Sequence, residues 1–224
     1  MLRSLWKKVL LLALLPATVF AANQNMVQTG NGYDIQYPLV YLANQQAQAA
    51  INADIGKYVD AAKERVNTKN LASSNLTYKV AYEDDRYLSI IFTPAWYYQG
   101  AAHGMYNEIG VVYDKTTGEK LPRSYFLNIK SPSVLTEHMP VAGKDLPKNP
   151  ISFFDGAVKN QIKLEPPTWS TVPYVSDSYY LGGDGSIYLI YQPYELGPYA
   201  VGATKLYFYR PLVDYFNNLD KEAK

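Results

Sequence analysis

Apolar and aromatic residues at every second position constrain this chain more than any other feature. Tyr33, Ile35, Tyr37, Leu39 and Tyr41 alternate with polar neighbours, the period of a strand with one buried and one wet face. Comparable runs recur at 76–83, 86–98, 106–114, 119–121, 174–181, 186–194 and 204–209. Asp84-Asp85, the 115–118 stretch and Gly182-Gly183-Asp184-Gly185 sit between them as turns. Pro38 lies inside the first run, which predicts an edge position or a bulge there. Tyrosine supplies much of the pattern: 22 Tyr against 7 Phe and 3 Trp. It suits a sheet, because the ring packs while the hydroxyl stays wet, and it equally suits a recognition surface.

One segment breaks this period clearly. From Gln45 to Val66 the apolar positions are Ala47, Ile51, Ile55, Tyr58, Val59, Ala62 and Val66. Their spacing predicts a helix with one apolar face, and Asn44 stands where a cap belongs. Ser152 begins a second predicted helix over 153–164, ended by Pro166-Pro167, and 211–219 forms a third. The expected class is α+β, a mostly antiparallel sheet with helices packed on one side. Residues 33–219 are expected to form a single domain, or two halves, 33–121 and 122–219, sharing a sheet. The polar, Gly/Asn-containing stretch 22–32 reads as a flexible lead-in.

The N-terminus carries an export pattern. Arg3, Lys7 and Lys8 precede a short apolar run from Val9 to Leu15, broken at Pro16. Val19 and Ala21 then supply small residues at the −3 and −1 positions of a cleavage site. The run falls short of the ~18 apolar residues a spanning helix needs, so residues 1–21 read as a signal peptide rather than an anchor. The mature chain is expected in the periplasm or outside the cell, with no transmembrane anchor after cleavage. Cleavage removes three positive charges and leaves 18 basic against 20 acidic residues, a net −2. Such a balance gives no electrostatic reason to bind nucleic acid. The absence of cysteine excludes disulfides, thiolate metal sites and Cys nucleophiles.

The catalytic inventory is thin. The two histidines, His103 and His138, lack helical His-x-x-x-His spacing, so neither a metal nor any other cofactor is expected. No Gly-x-Ser-x-Gly elbow and no phosphate loop occurs. Asp84-Asp85 and Glu195 are candidates for paired carboxylates, which leave no local signature; for the first pair a solvated turn is the expected role.

Two segments stand apart. In the first, Tyr97-Tyr98-Gln99-Gly100-Ala101-Ala102-His103-Gly104 is followed by Tyr113-Asp114-Lys115-Thr116-Thr117-Gly118. The second is Gln192-Pro193-Tyr194-Glu195-Leu196-Gly197-Pro198-Tyr199-Ala200-Val201-Gly202. Small residues in the first let backbones approach; Gly and Pro in the second fix an aromatic-rich turn between strands.

Both segments resemble the RsiV-like extracytoplasmic domain, the sensor part of an anti-sigma factor that binds lysozyme. The similarity runs from about residue 33 to 216, and 192–202 is its most specific block. The resemblance implies a non-catalytic binding module of the bacterial cell envelope with a lysozyme-type protein as partner. That family also occurs beside peptidoglycan deacetylases, so a cell-wall glycan partner or a glycan-acting enzyme is the alternative. The anti-sigma factor's membrane span and cytoplasmic region have no counterpart in the sequence, nor has a deacetylase domain, so transmembrane signalling and deacetylation do not carry over.

His103, Tyr194, Glu195 and Tyr199 are the candidate ligand contacts. Gly100, Asp114, Gly118, Gln192, Pro193 and Gly202 are the motif positions expected to shape the loops. His103 either meets a ligand or anchors the Gly-rich turn on a backbone carbonyl, and Glu195 either does chemistry or locks the loop ending at Gly202.

Overall fold

In the computed structural model, which describes residues 23–129, 164–165 and 174–222, the first strands are a hairpin. Strand β1 (Gln24–Gly30) pairs antiparallel with β2 (Tyr33–Leu39) along its whole length, from Gln24↔Leu39 to Gly30↔Tyr33. Asn31-Gly32 closes it, with Gly32 at φ +82°. The lead-in expected over 22–32 is therefore corrected to an edge strand. No residue of β1 is buried, so it lacks the apolar alternation that marks a strand; backbone pairing holds it, with side-chain bonds from Gln28 to Tyr37 and from Tyr41 to Gln24. The Asn-Gly dipeptide at its tip is the signal that does mark it.

Pro38 consequently lies one strand in from the edge. It is tolerated because β3 pairs with β2 only over Tyr33–Ile35, which leaves no partner strand beside the proline on that side.

Helix α1 (Gln45–Arg65) forms as its spacing predicts. The Asn44 side chain accepts from the Gln46 and Ala47 amides at 3.1 and 3.2 Å. Ala47, Ile51, Ile55, Val59 and Ala62 are buried. The helix is the crossover that the parallel β2–β3 pair requires. Strand β3 (Leu71–Glu83) begins earlier than the 76–83 alternation implies, because its polar start is recruited by β2 on one side and β4 on the other. The Asp84-Asp85 turn leads into β4 (Tyr87–Tyr98). The run expected over 106–114 is interrupted, giving β5 (Met105–Tyr106) and β6 (Ile109–Asp114), both paired with β4. The strand expected at 119–121 is a single bridge, Tyr113↔Lys120.

A second sheet has the order β7-β10-β9-β8: β7 (Leu164–Glu165), β8 (Tyr179–Leu181), β9 (Ile187–Tyr191) and β10 (Thr204–Phe208). Helix α2 (Arg210–Glu222) follows. Strand β8 is shorter than the 174–181 run because Ser176 and Ser178 bind neighbouring backbone, Ser176 Oγ donating to the Ile190 carbonyl at 2.6 Å. The 182–185 turn uses φ +60° at Asp184 and +80° at Gly185. The helix predicted over 153–164 lies outside the described residues except for Leu164, which is in β7. The signal peptide also lies outside them. The α+β class stands, with β2–β3 the parallel pair in otherwise antiparallel sheets.

Strand β6 serves two cores at once. Val111 and Tyr113 face α1 together with Ile35, Leu76, Leu88, Ile90 and Phe92. Val112 points the other way, toward Tyr179, Leu189, Leu206, Phe208, Leu212 and Phe216. Where the sheets meet, the hydroxyls of Ser178 and Ser89 accept from the Gly110 and Leu181 amides at 2.9 and 3.0 Å. Buried edge amides are thereby satisfied across the junction.

Candidate binding surface

Two loops converge at the far end of β4. One is 99–104, leaving β4; the other is 192–202, joining β9 to β10. Gln192 fastens the second loop to the connection between β5 and β6. Its Oε1 accepts from the Glu108 amide and its Nε2 donates to the Glu108 carbonyl, both at 2.8 Å. The side chain thus replaces a strand partner and satisfies two backbone groups at once. Pro193 follows and starts the turn. Glu195 accepts from the Gln192 amide at 2.6 Å. It also accepts the phenol proton of Tyr174, whose pKa is raised by burial and by this bond. The Glu195 carboxylate therefore closes its own loop.

The next turn is shaped from below. Gly202 has φ +76°, and a Cβ there would lie 2.8 Å from Tyr106 Oη. That hydroxyl accepts from the Ala203 amide at 3.1 Å, so only glycine fits both the angle and the space. Tyr199, held in the turn between Pro198 and Gly202, donates its hydroxyl to the Gly104 carbonyl of the other loop. Gly100, at φ +80°, turns the chain out of β4, and the Tyr97 hydroxyl donates to the Ala101 carbonyl beside it at 2.9 Å.

This scaffold brings His103, Tyr194 and Tyr199 together. The imidazole stacks on Tyr199, centroids 4.0 Å apart and 21° from parallel. Nδ1 lies 2.8 Å from the Gly104 carbonyl, which can only accept, so this nitrogen carries a proton. In the neutral ring Nε2 is then the acceptor for the Tyr194 hydroxyl, 3.2 Å away. Tyr194 sits at φ +74°, a conformation bulky residues rarely adopt, and its side chain is 55% exposed. Tyr97 and Tyr98 are exposed nearby on the end of β4. Of the two roles its sequence context leaves open, His103 has the anchoring one, bound to a backbone carbonyl, and its ring lies at the surface.

Asp114 and Gly118 do not belong to this site. They lie at the opposite end of the sheet, where Asp114 accepts from the Thr116 amide at 2.8 Å and from Arg86 Nε at 2.9 Å. Burial alone would raise the Asp114 carboxyl, but the Thr116 hydroxyl and amide and the Arg86 guanidinium outweigh it and hold the pKa below the ordinary value. Gly118, at φ +81°, lets this turn touch α1; a Cβ would meet Ala47 Cα at 2.7 Å. Asp84 is also remote, its Oδ1 accepting from the Arg86 and Tyr87 amides at 2.8 and 2.6 Å. Sequence spacing misses Tyr106, Glu108 and Tyr174. Each lies in an alternating run or at its end, where periodicity does not reveal which loop its groups will meet.

No group of three or more His, Asp or Glu side chains among the described residues is placed to hold a metal ion. No family model matches the chain, and no curated protein matches its sequence. Among solved structures it is similar to a DUF3298 family protein from Pseudomonas aeruginosa PAO1, with TM-score 0.58 and 15% identity over 88% of this chain and 94% of that one. It is also similar to a DUF3298 family member from Bacteroides fragilis NCTC 9343, with TM-score 0.55 and 14% identity over 92% of this chain and 96% of that one. At these identities the likeness is one of architecture: the chain has the fold that these DUF3298 proteins share.

Proposed function

We propose that this chain is a non-catalytic binding module exported to the bacterial cell envelope, whose His103–Tyr194–Tyr199 surface takes a lysozyme-type protein. The observation that carries this reading is Tyr194. Its backbone is held at φ +74° while its ring stands mostly in solvent beside His103. A bulky residue kept in a costly conformation, with only an exposed hydrogen bond to His103 and ring contacts to His103 and Tyr199 in return, is accounted for by presentation to a partner. Exposed tyrosines at the centre of a rigid patch are the residue type that dominates protein interfaces. The choice of partner rests on the resemblance of 100–103 and 192–202 to the RsiV-like domain.

The test is a calorimetric titration of lysozyme into the chain from Ala22 onward, which keeps every described element. A one-to-one complex is expected, weakened about tenfold or more by Tyr194→Ala, the size of one interface hot spot. Absence of heat and of co-elution at tens of micromolar overturns the lysozyme reading, as does binding that Tyr194→Ala and His103→Ala leave unchanged. Retention on purified cell wall without lysozyme binding would transfer the surface to a glycan.

A further inference from the structure

At the Tyr87 end of β4 a cavity of about 360 Å³ opens between the β3–β4 turn, the β8–β9 turn and α2. It is roughly 35 Å along the strand from the His103 surface, given the rise per residue. Its volume lies at the small end of the range for ligand pockets.

The inner wall is apolar and aromatic: Phe126, Leu181, Ile187 and Val213, with the Tyr87 and Tyr125 rings beside them. Tyr87 and Tyr125 both meet Phe126 edge-on, at centroid distances of 5.1 and 4.9 Å. The rim is polar and carries both signs. Tyr82 donates its hydroxyl to Asp84 Oδ2 at 2.7 Å, which leaves the phenol oxygen free to accept. That bond, with burial, pushes the Tyr82 pKa up to about 12, so the phenol stays protonated. Burial would raise the Asp84 carboxyl, but the Tyr87 amide, the Tyr82 hydroxyl and the Arg86 amide outweigh it, and it stays ionised. Across the opening Arg210 Nε donates to Asp214 at 3.2 Å. The terminal nitrogens of Arg210 make no hydrogen bond among the described residues, and one of them lies against Gly185, 3.1 Å from where a Cβ would stand.

This lining discriminates by charge. An anion would face Asp84 and Asp214, and a cation would face Arg210. A neutral ligand with one C–H face and several hydroxyls meets every group: the face packs on the aromatic wall, and hydroxyls both donate to the carboxylates and accept from the guanidinium. We propose that this cavity binds a single neutral saccharide ring, with Tyr125 and the apolar wall taking its C–H face and Asp84, Asp214 and Arg210 its hydroxyls. The site is independent of the protein-binding surface, and either can fail without the other.

Saturation-transfer NMR on the chain from Ala22 onward tests it, with N-acetylglucosamine and glucose as probes and choline and acetate as charged controls. Transfer to a sugar with a Kd of about 1 mM is expected, the affinity that ligand efficiency allows a molecule of this size. Tyr125→Ala and Arg210→Ala should weaken it about fivefold or more. Both side chains are about half exposed or more, so these variants should stay folded, which their melting curves check. His103→Ala, at the other end of the sheet, should bind sugar as wild type does. The proposal is overturned by no transfer to either sugar at about 10 mM, by stronger binding of choline or acetate, or by sugar binding that both rim variants leave intact.

Discussion

Gly110 in β6 lies so close to Tyr179 in β8 that a Cβ there would stand 2.2 Å from the Tyr179 carbonyl oxygen and 3.1 Å from Ile190 Cδ1. The two sheets are therefore joined backbone to backbone at one point, with Ser178 Oγ bonded to the Gly110 amide beside it. The obstacle is main chain, which cannot swing aside as a side-chain tip would.

Gly110→Ala is accordingly expected to destabilise by about 3 kcal/mol or more, since the sheets must part to admit the methyl. Denaturant midpoints measure this. Ser89→Ala, which strands the buried Leu181 amide without adding volume, should cost less, about 1–3 kcal/mol. Equal costs would mean that overpacking is not the cause.

Gln192→Leu removes the clamp on Glu108, leaving its amide without a partner and its carbonyl with only the Ser178 hydroxyl at 3.3 Å. The expected loss is about 2–3 kcal/mol by chemical denaturation, with faster amide exchange at Glu108. Gln192→Glu keeps the acceptor and loses the donor, so it should fall between wild type and Gln192→Leu.

Tyr194→Gly relieves a positive φ while removing a mostly exposed ring. Stability should stay within about 1 kcal/mol of wild type, because relief of strain offsets the added chain entropy of glycine. Partner binding should be lost. A large destabilisation would make Tyr194 a structural residue and remove the support it lends to the binding surface.

The pH dependence of stability follows from three carboxylates. Asp54, Asp84 and Asp114 all titrate below their ordinary value in the folded chain. For Asp54, burial works against this but is outweighed by Lys57, the Tyr113 hydroxyl and Lys120. Such groups bind fewer protons folded than unfolded. Their contribution is complete above a pH of about 4 and is lost as pH falls through the folded-state values. Thermal melts should be flat near neutrality and fall steeply below a pH of about 4. Asp114→Asn should start from a lower melting point at neutral pH and fall less steeply.

Much of the scaffold is legible in local sequence. Helix α1 is readable because one face of it, Ala47 to Ala62, meets a single core, and Asn44 caps it through its own neighbours. The β3–β4 hairpin is readable because Asp84 closes the turn with amides two and three residues away. Strand β1 is not readable by periodicity, since an edge strand buries no face, and β8 is cut short by serine bonds to the β9 backbone.

The candidate site divides in the same way. The sequence by itself determines that 100–104 and 192–202 are turns and that His103, Tyr194, Glu195 and Tyr199 stand on them, because Gly and Pro act within a few residues. Only the tertiary structure decides that Gln192 clamps Glu108, that Glu195 turns back on its own loop, and that His103 stacks on Tyr199 with Tyr194 beside it. Apart from the local Glu195–Gln192 bond, those contacts join segments roughly ninety residues apart, and their partners are chosen by the stacking of one sheet on the other, which no local pattern records.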